Sequence, residues 1–147
     1  MAGLEDLYRE IILDHYRSPR NRGELDTPPA NMTEGFNPLC GDEIRVYLEL
    51  DGDTISEIRI GGQGCSISQA SSSLMSDALK GSTLEEAGAL RELFRRMLAG
   101  EQLSDAEIEM LGELEALQGV RQFPVRIKCA LLAWSVLEDG VKEYQGR

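Results

Sequence analysis

The sequence predicts an α+β domain in which a small antiparallel three-stranded sheet is covered on one face by helices. Three observations predict it. Two runs with period-two alternation, Glu43 to Leu50 and Thr54 to Ile60, are joined by the turn signal Asp51-Gly52-Asp53. Apolar residues at helical spacing precede these runs and follow them. The order is therefore helix, strands, helices, without the strand–helix alternation that builds a parallel sheet.

Each element has its own signal. Leu4 to Tyr16 places Leu4, Leu7, Tyr8, Ile11, Ile12 and His15 on one helical face, and Pro19 ends it. Arg20 to Pro29 is a turn-rich link, and Ala30 to Phe36 carries a weak strand signal. In the hairpin, Ile44, Val46, Leu48 and Leu50 share one face, as do Ile58 and Ile60. Ser66 to Leu79 reads as a helix rich in small residues, which permit close approach of a neighbour, and Gly81 stops it. Thr83 and Glu86 form a capping box ahead of Leu90, Leu93, Phe94, Met97 and Leu98, and Gly100 closes that helix. A second capping box, Ser104 with Glu107, opens a helix from Ile108 to Leu117. Phe123 to Tyr144 reads as a long last helix with Pro124 in its first turn.

With 147 residues and 41% hydrophobic content, the chain is expected to form one domain with a real core. No apolar stretch approaches the roughly 18 residues that would span a bilayer. Met1 to Tyr16 is amphipathic and acidic and lacks the basic start and apolar core of a signal peptide. The expected setting is the cytoplasm, where thiols stay reduced. A net charge of −11 argues against a nucleic-acid partner. The one basic cluster, Arg17, Arg20 and Arg22 with Arg9, reads either as a solvated helix end or as a docking patch for an acidic surface.

Three cysteines carry the chemistry. Cys40 lies in the turn Asn37-Pro38-Leu39-Cys40-Gly41-Asp42, Cys65 follows Gly61-Gly62-Gln63-Gly64 where a strand gives way to a helix, and Cys129 lies early in the last helix. Any one alone could be a core residue. An odd number in a long, helix-rich chain speaks against a disulfide framework. Cys40, Cys65, Cys129 and the carboxylate of Asp42 form a complete four-coordinate set for an ion such as Zn2+. Cys65 is expected just before a helix N-terminus, where the dipole favours thiolate. Arg126, one turn before Cys129, is placed to offset the excess negative charge, with Lys128 as a further cation. His15, the single histidine, reads as a packed or capping residue rather than a ligand, and nothing supports a Ser-His-Asp arrangement around it. Gly61 to Gly64 lacks the Lys-Ser/Thr of a phosphate loop.

These segments resemble the IscU-like iron–sulfur scaffold family, and within it the SufU branch. The resemblance runs over nearly the whole chain. Asp14-His15-Tyr16-Arg17-Ser18-Pro19-Arg20-Asn21 is similar to the family's N-terminal signature, and Asn37 to Asp42 and Gly62 to Ser68 to its first two cysteine motifs. Arg126-Ile127-Lys128-Cys129-Ala130 is similar to the third as SufU proteins have it. IscU proteins carry a His before the third Cys, where this chain has Lys128, and a Pro-rich segment that here reads Gln122-Phe123-Pro124-Val125. The stretch between Cys65 and Cys129 is also longer, which places a helical insertion around residues 100–120 of a single domain, 1–147.

The resemblance implies a zinc-dependent sulfur acceptor with metal ligands Cys40, Asp42, Cys65 and Cys129. Cys40 would receive persulfide sulfur from a SufS-type cysteine desulfurase, Arg126 would assist, and downstream iron–sulfur assembly proteins would take the sulfur on. Two other readings stay open at this point: a scaffold that builds a transient [2Fe–2S] cluster on the same ligands, and a purely structural zinc domain.

Overall fold

The structure, a computed structural model, describes residues 4–146; Met1 to Gly3, part of the amphipathic N-terminal reading, and Arg147 lie outside the described residues. Its elements run α1 (Leu4–Arg17), β1 (Asn31–Asn37), β2 (Asp42–Asp51), β3 (Thr54–Gln63), α2 (Ser66–Leu79), α3 (Leu84–Leu98), α4 (Asp105–Leu111), a 3-10 helix (Gly112–Gln122) and α5 (Pro124–Gln145). The three strands form one antiparallel sheet in the order β1-β2-β3.

Alternation sets the sheet's two faces. Ile44, Val46, Leu48, Ile58 and Ile60 point into the core, each at most 2% exposed. Val46 pairs with Ile60 and Leu48 with Ile58, so the branched side chains stand side by side. Glu43, Arg45, Glu57 and Arg59 occupy the other face, where Arg45 bonds Glu43 and Arg59 bonds Glu57. The helices lie on the apolar face, as the alternation requires.

Helix α5 crosses that face against β1 and β2 at close range. A Cβ on Gly35 of β1 would stand 2.4 Å from Val136 Cγ2, and one on Gly140 of α5 would stand 2.7 Å from Thr33 Oγ1. Glycine at both places lets helix and strand approach. The small residues of α2 do the same on the other flank of α5. Ser71 Oγ donates to the Ala130 carbonyl at 2.6 Å and accepts from Trp134 Nε1 at 3.2 Å. Trp134 stacks on Phe94 of α3, with ring centroids 5.1 Å apart. Burying two such rings contributes on the order of 1.5–3 kcal/mol each, so the serine stripe joins α2, α5 and α3 into one core.

Both capping boxes form, with Thr83 and Ser104 each accepting from the amide of the glutamate three residues on. Three elements differ from expectation. The first strand lies one residue later, at Asn31–Asn37. β3 continues past Ile60 to Gln63, because Gly62 fits where a Cβ would meet the Glu43 carbonyl oxygen at 2.0 Å. The helix expected from Ile108 to Leu117 is α only to Leu111; Gly112 takes φ +55°, and the chain continues as a 3-10 helix.

Candidate metal centre

The three cysteine-bearing segments meet at one end of the sheet. Asp42 is the first residue of β2, and the turn before it carries Cys40. That turn is held from its start: Asn37 Oδ1 accepts the Leu39 amide at 3.3 Å, and the Asn37 carbonyl accepts the Cys40 amide at 3.3 Å. Gly41 then reverses the chain at φ +67°. Cys65 is the residue that opens α2, with no side-chain cap bond, so its thiol is available at the positive end of the helix. Cys129 sits in the second turn of α5, behind Pro124 at the helix start.

Cys40 Sγ and Cys129 Sγ are 3.0 Å apart. One ligand atom each from Cys40, Asp42 and Cys129 fall within 4.8 Å of one another. The fourth expected residue, Cys65, stands just outside that trio. Its amide donates to Asp42 Oδ1 at 2.9 Å, which ties the start of α2 to the carboxylate. Burial divides the set: Asp42 and Cys129 are 2% and 0% exposed, whereas Cys40 and Cys65 are half-buried.

Burial and hydrogen bonding explain the titration of the centre. Burial pushes the Asp42 carboxyl up, but the Cys65 amide together with the Cys129, Ser68 and Cys65 side chains outweigh it, so the carboxyl stays below its ordinary range. Burial drives the Cys129 thiol well above the ordinary thiol range, and the neighbouring Cys40, Asp42 and Cys65 drive it further. In the metal-free corner the Asp42 carboxyl is thus held ionised and the Cys129 thiol neutral. A divalent cation held by these residues would supply positive charge that favours the thiolate forms. Three sulfurs and one carboxylate oxygen are a donor set that zinc accepts, and the residues present fit it.

Arg126 lies over the outer side of this corner, exposed, with a guanidinium nitrogen 3.9 Å from Cys40 Sγ. The neighbouring thiols, Cys65 in the first place and then Cys129 and Cys40, hold the guanidinium above its ordinary value. Lys128 is elsewhere: it lines a neighbouring groove with Phe36, Leu39 and Leu131. His15 is fully buried in α1, with Nδ1 2.8 Å from Ser73 Oγ, and is a packed residue as expected. In the basic cluster, Arg20 pairs with Asp14 at 2.6 Å and Arg22 bonds Gln69 and the Gly62 carbonyl.

Two residues of the site carried no role in the sequence reading. Ser68 Oγ donates to Asp42 Oδ1 at 3.1 Å, and Asn37 Nδ2 reaches Asp42 Oδ2 at 3.3 Å and Cys129 Sγ at 3.5 Å. Their one signal was position, within three residues of a cysteine. Around Cys40 and Cys65 the surface is apolar, with Leu39, Phe123 and Val125 each more than half exposed beside the thiols.

A thiol cluster with one carboxylate, mounted at the end of a three-stranded sheet, is a donor set able to hold a metal ion. The chain belongs to the NifU-like N-terminal domain family, whose model matches residues 7–127. It is 47% identical over 145 residues to the zinc-dependent sulfurtransferase SufU of Bacillus subtilis (strain 168), covering 99% of this chain and 96% of that one. It is 43% identical over 142 residues to the iron–sulfur cluster assembly scaffold protein IscU of Streptococcus pyogenes serotype M1, covering 97% and 87%. Among solved structures, an iron–sulfur cluster assembly scaffold protein for the SUF system from Fervidobacterium islandicum AW-1 superposes with a TM-score of 0.81 at 34% identity, covering 92% and 97%.

Proposed function

We propose that this chain is a zinc-dependent sulfur acceptor in iron–sulfur cluster assembly, taking persulfide sulfur from a SufS-type cysteine desulfurase and passing it to downstream assembly proteins. Cys40, Asp42, Cys65 and Cys129 hold the ion. When bound, zinc supplies a redox-inert positive charge that keeps the thiols ionised. The observation that carries the reading is the split in burial across the set. Cys129 and Asp42 are sealed, whereas Cys40 is partly exposed on a glycine-containing turn, beside an apolar surface suited to a partner.

The transfer balances without an added oxidant. The Cys40 thiolate attacks the outer sulfur of the desulfurase's cysteine persulfide. A new S–S bond forms on Cys40, the old one breaks, and its electron pair leaves with the desulfurase thiolate. Arg126 stabilises the anionic sulfur at Cys40 from outside. The place of action is the cytoplasm, where thiols stay reduced. The helical segment around residues 100–120 is an insertion within the single domain, and the 3-10 helix that continues it ends at Gln122, which borders the groove at the thiols.

A second reading, a scaffold for a transient [2Fe–2S] cluster on the same residues, is favoured by the name of the Streptococcus relative. One preparation separates the two. Protein purified without oxygen is assayed for metal and visible absorption, then mixed with desulfurase and cysteine and mapped by mass spectrometry. The sulfur-acceptor reading expects one zinc, no visible bands, and one added sulfur atom on Cys40. Iron with sulfide and visible charge-transfer bands would replace it with the scaffold reading. Sulfur on Cys65 or Cys129 but not Cys40 would overturn the transfer step.

A further inference from the structure

We propose that Asn37 is the positioning residue of the metal centre: its side-chain amide fixes Asp42 and Cys129 in place as ligands and leaves the Cys40 thiol outside its grip. The inference rests on the metal reading of the preceding section. Asn37 ends β1 and is 6% exposed. Its amide nitrogen carries two protons. Asp42 Oδ2 accepts from it at 3.3 Å and Cys129 Sγ at 3.5 Å. The other Asp42 oxygen is held by the Cys65 amide and the Ser68 hydroxyl, so Asn37 completes a grip on both ends of the carboxylate.

The same residue treats Cys40 differently. Asn37 Oδ1 accepts the Leu39 amide and its carbonyl accepts the Cys40 amide, so the turn's backbone is anchored while the Cys40 thiol receives nothing from the Asn37 side chain. Two of the ligands are thus tied to one buried amide, whereas the Cys40 thiol meets only Cys129 Sγ and the exposed Arg126 guanidinium. An N–H directed at a ligating sulfur also lowers that sulfur's donor strength, and partners of this kind are worth about 10–100-fold in metal affinity.

Two variants separate positioning from support of the turn. Asn37→Ala removes both the amide protons and the oxygen that accepts from Leu39. Asn37→Ser keeps an oxygen able to cap the Leu39 amide but is too short to reach Asp42 and Cys129. Zinc affinity is measured by competition with a chromophoric chelator, and Co2+-loaded protein is read by its thiolate charge-transfer absorption. Both variants are expected to lose about 10–100-fold in zinc affinity and to shift the cobalt charge-transfer band to longer wavelength, while the metal-free far-ultraviolet circular dichroism matches wild type. Wild-type affinity and cobalt spectrum in either variant would overturn the proposal. So would a metal-free variant that is unfolded, which would assign Asn37 to the fold. Failure of the wild-type protein to bind Co2+ through thiolate would instead sink the metal reading itself.

Discussion

Cys40 Sγ stands 3.0 Å from Cys129 Sγ, the one half-exposed on a turn and the other sealed inside a helix. The two thiols share a site but not an environment. In metal-free protein, Cys40→Ala should leave stability within about 0.5 kcal/mol of wild type, as for most surface changes. Cys129→Ala should cost about 1–2 kcal/mol, because it opens space in a packed corner. Urea unfolding in the presence of chelator measures both, and equal losses would refute the division of the site into a fixed and a mobile thiol.

Zinc held by these residues must stabilise the fold, since the four come together only in the native state. At a free concentration 100 times its dissociation constant, a ligand adds about 2.7 kcal/mol. For a chain of this length that is a rise in melting temperature of roughly 5–11 °C. Calorimetry with and without chelator gives the value. The Cys65→Ser, Cys129→Ser double variant should show no rise, and a full rise in that variant would remove both cysteines from the ligand set.

Gly64 leaves no room for a side chain: a Cβ there would stand 2.4 Å from Asp42 Oδ1 and 2.7 Å from Ser68 Oγ. Gly64→Ala must displace the carboxylate or the helix start. The expected result is a loss of about 1–3 kcal/mol from overpacking together with weaker zinc binding in the chelator competition. An alanine variant with wild-type zinc affinity would show that Asp42 does not need its observed position.

What the sequence disclosed depended on the range of the signal. The hairpin, α2 and both capping boxes were legible, because alternation, glycine stops and Ser/Thr-x-x-Glu are local. The cysteines and Asp42 were legible as chemistry, and the structure brings three of them within 4.8 Å. Asn37 and Ser68 were not, because their roles exist only once β1, β2, α2 and α5 converge. The extension of β3 through Gly61 and Gly62 looked like loop, since its reason is a backbone neighbour on another strand. The 3-10 segment had the apolar spacing of a helix, and Gly112, which breaks it, carries no mark of its conformation until φ is known. Arg126 was placed beside Cys129 by helical spacing, yet its guanidinium also reaches across to Cys40, on another segment.

The buried His15 makes a prediction about acid. Its Nδ1 lies 2.8 Å from Ser73 Oγ, which also accepts the Arg20 amide at 2.8 Å. The other ring nitrogen, Nε2, faces Glu113 Oε1 at 3.7 Å. Burial lowers the His15 pKa below its ordinary 6.5, and Arg20 lowers it further; Glu113, Asp14 and Asp77 oppose without prevailing. The neutral ring is thus the folded form, and the unfolded chain binds the proton more tightly. Stability from this group is complete above about pH 6.5 and falls as pH drops through that value toward the folded pKa. The slope is at most about 1.4 kcal/mol per pH unit. Urea unfolding of metal-free protein from pH 7.5 down to about pH 5 should show the decline before most carboxylates titrate. His15→Gln should flatten it across that window, and an equal slope in the variant would place the titrating group elsewhere.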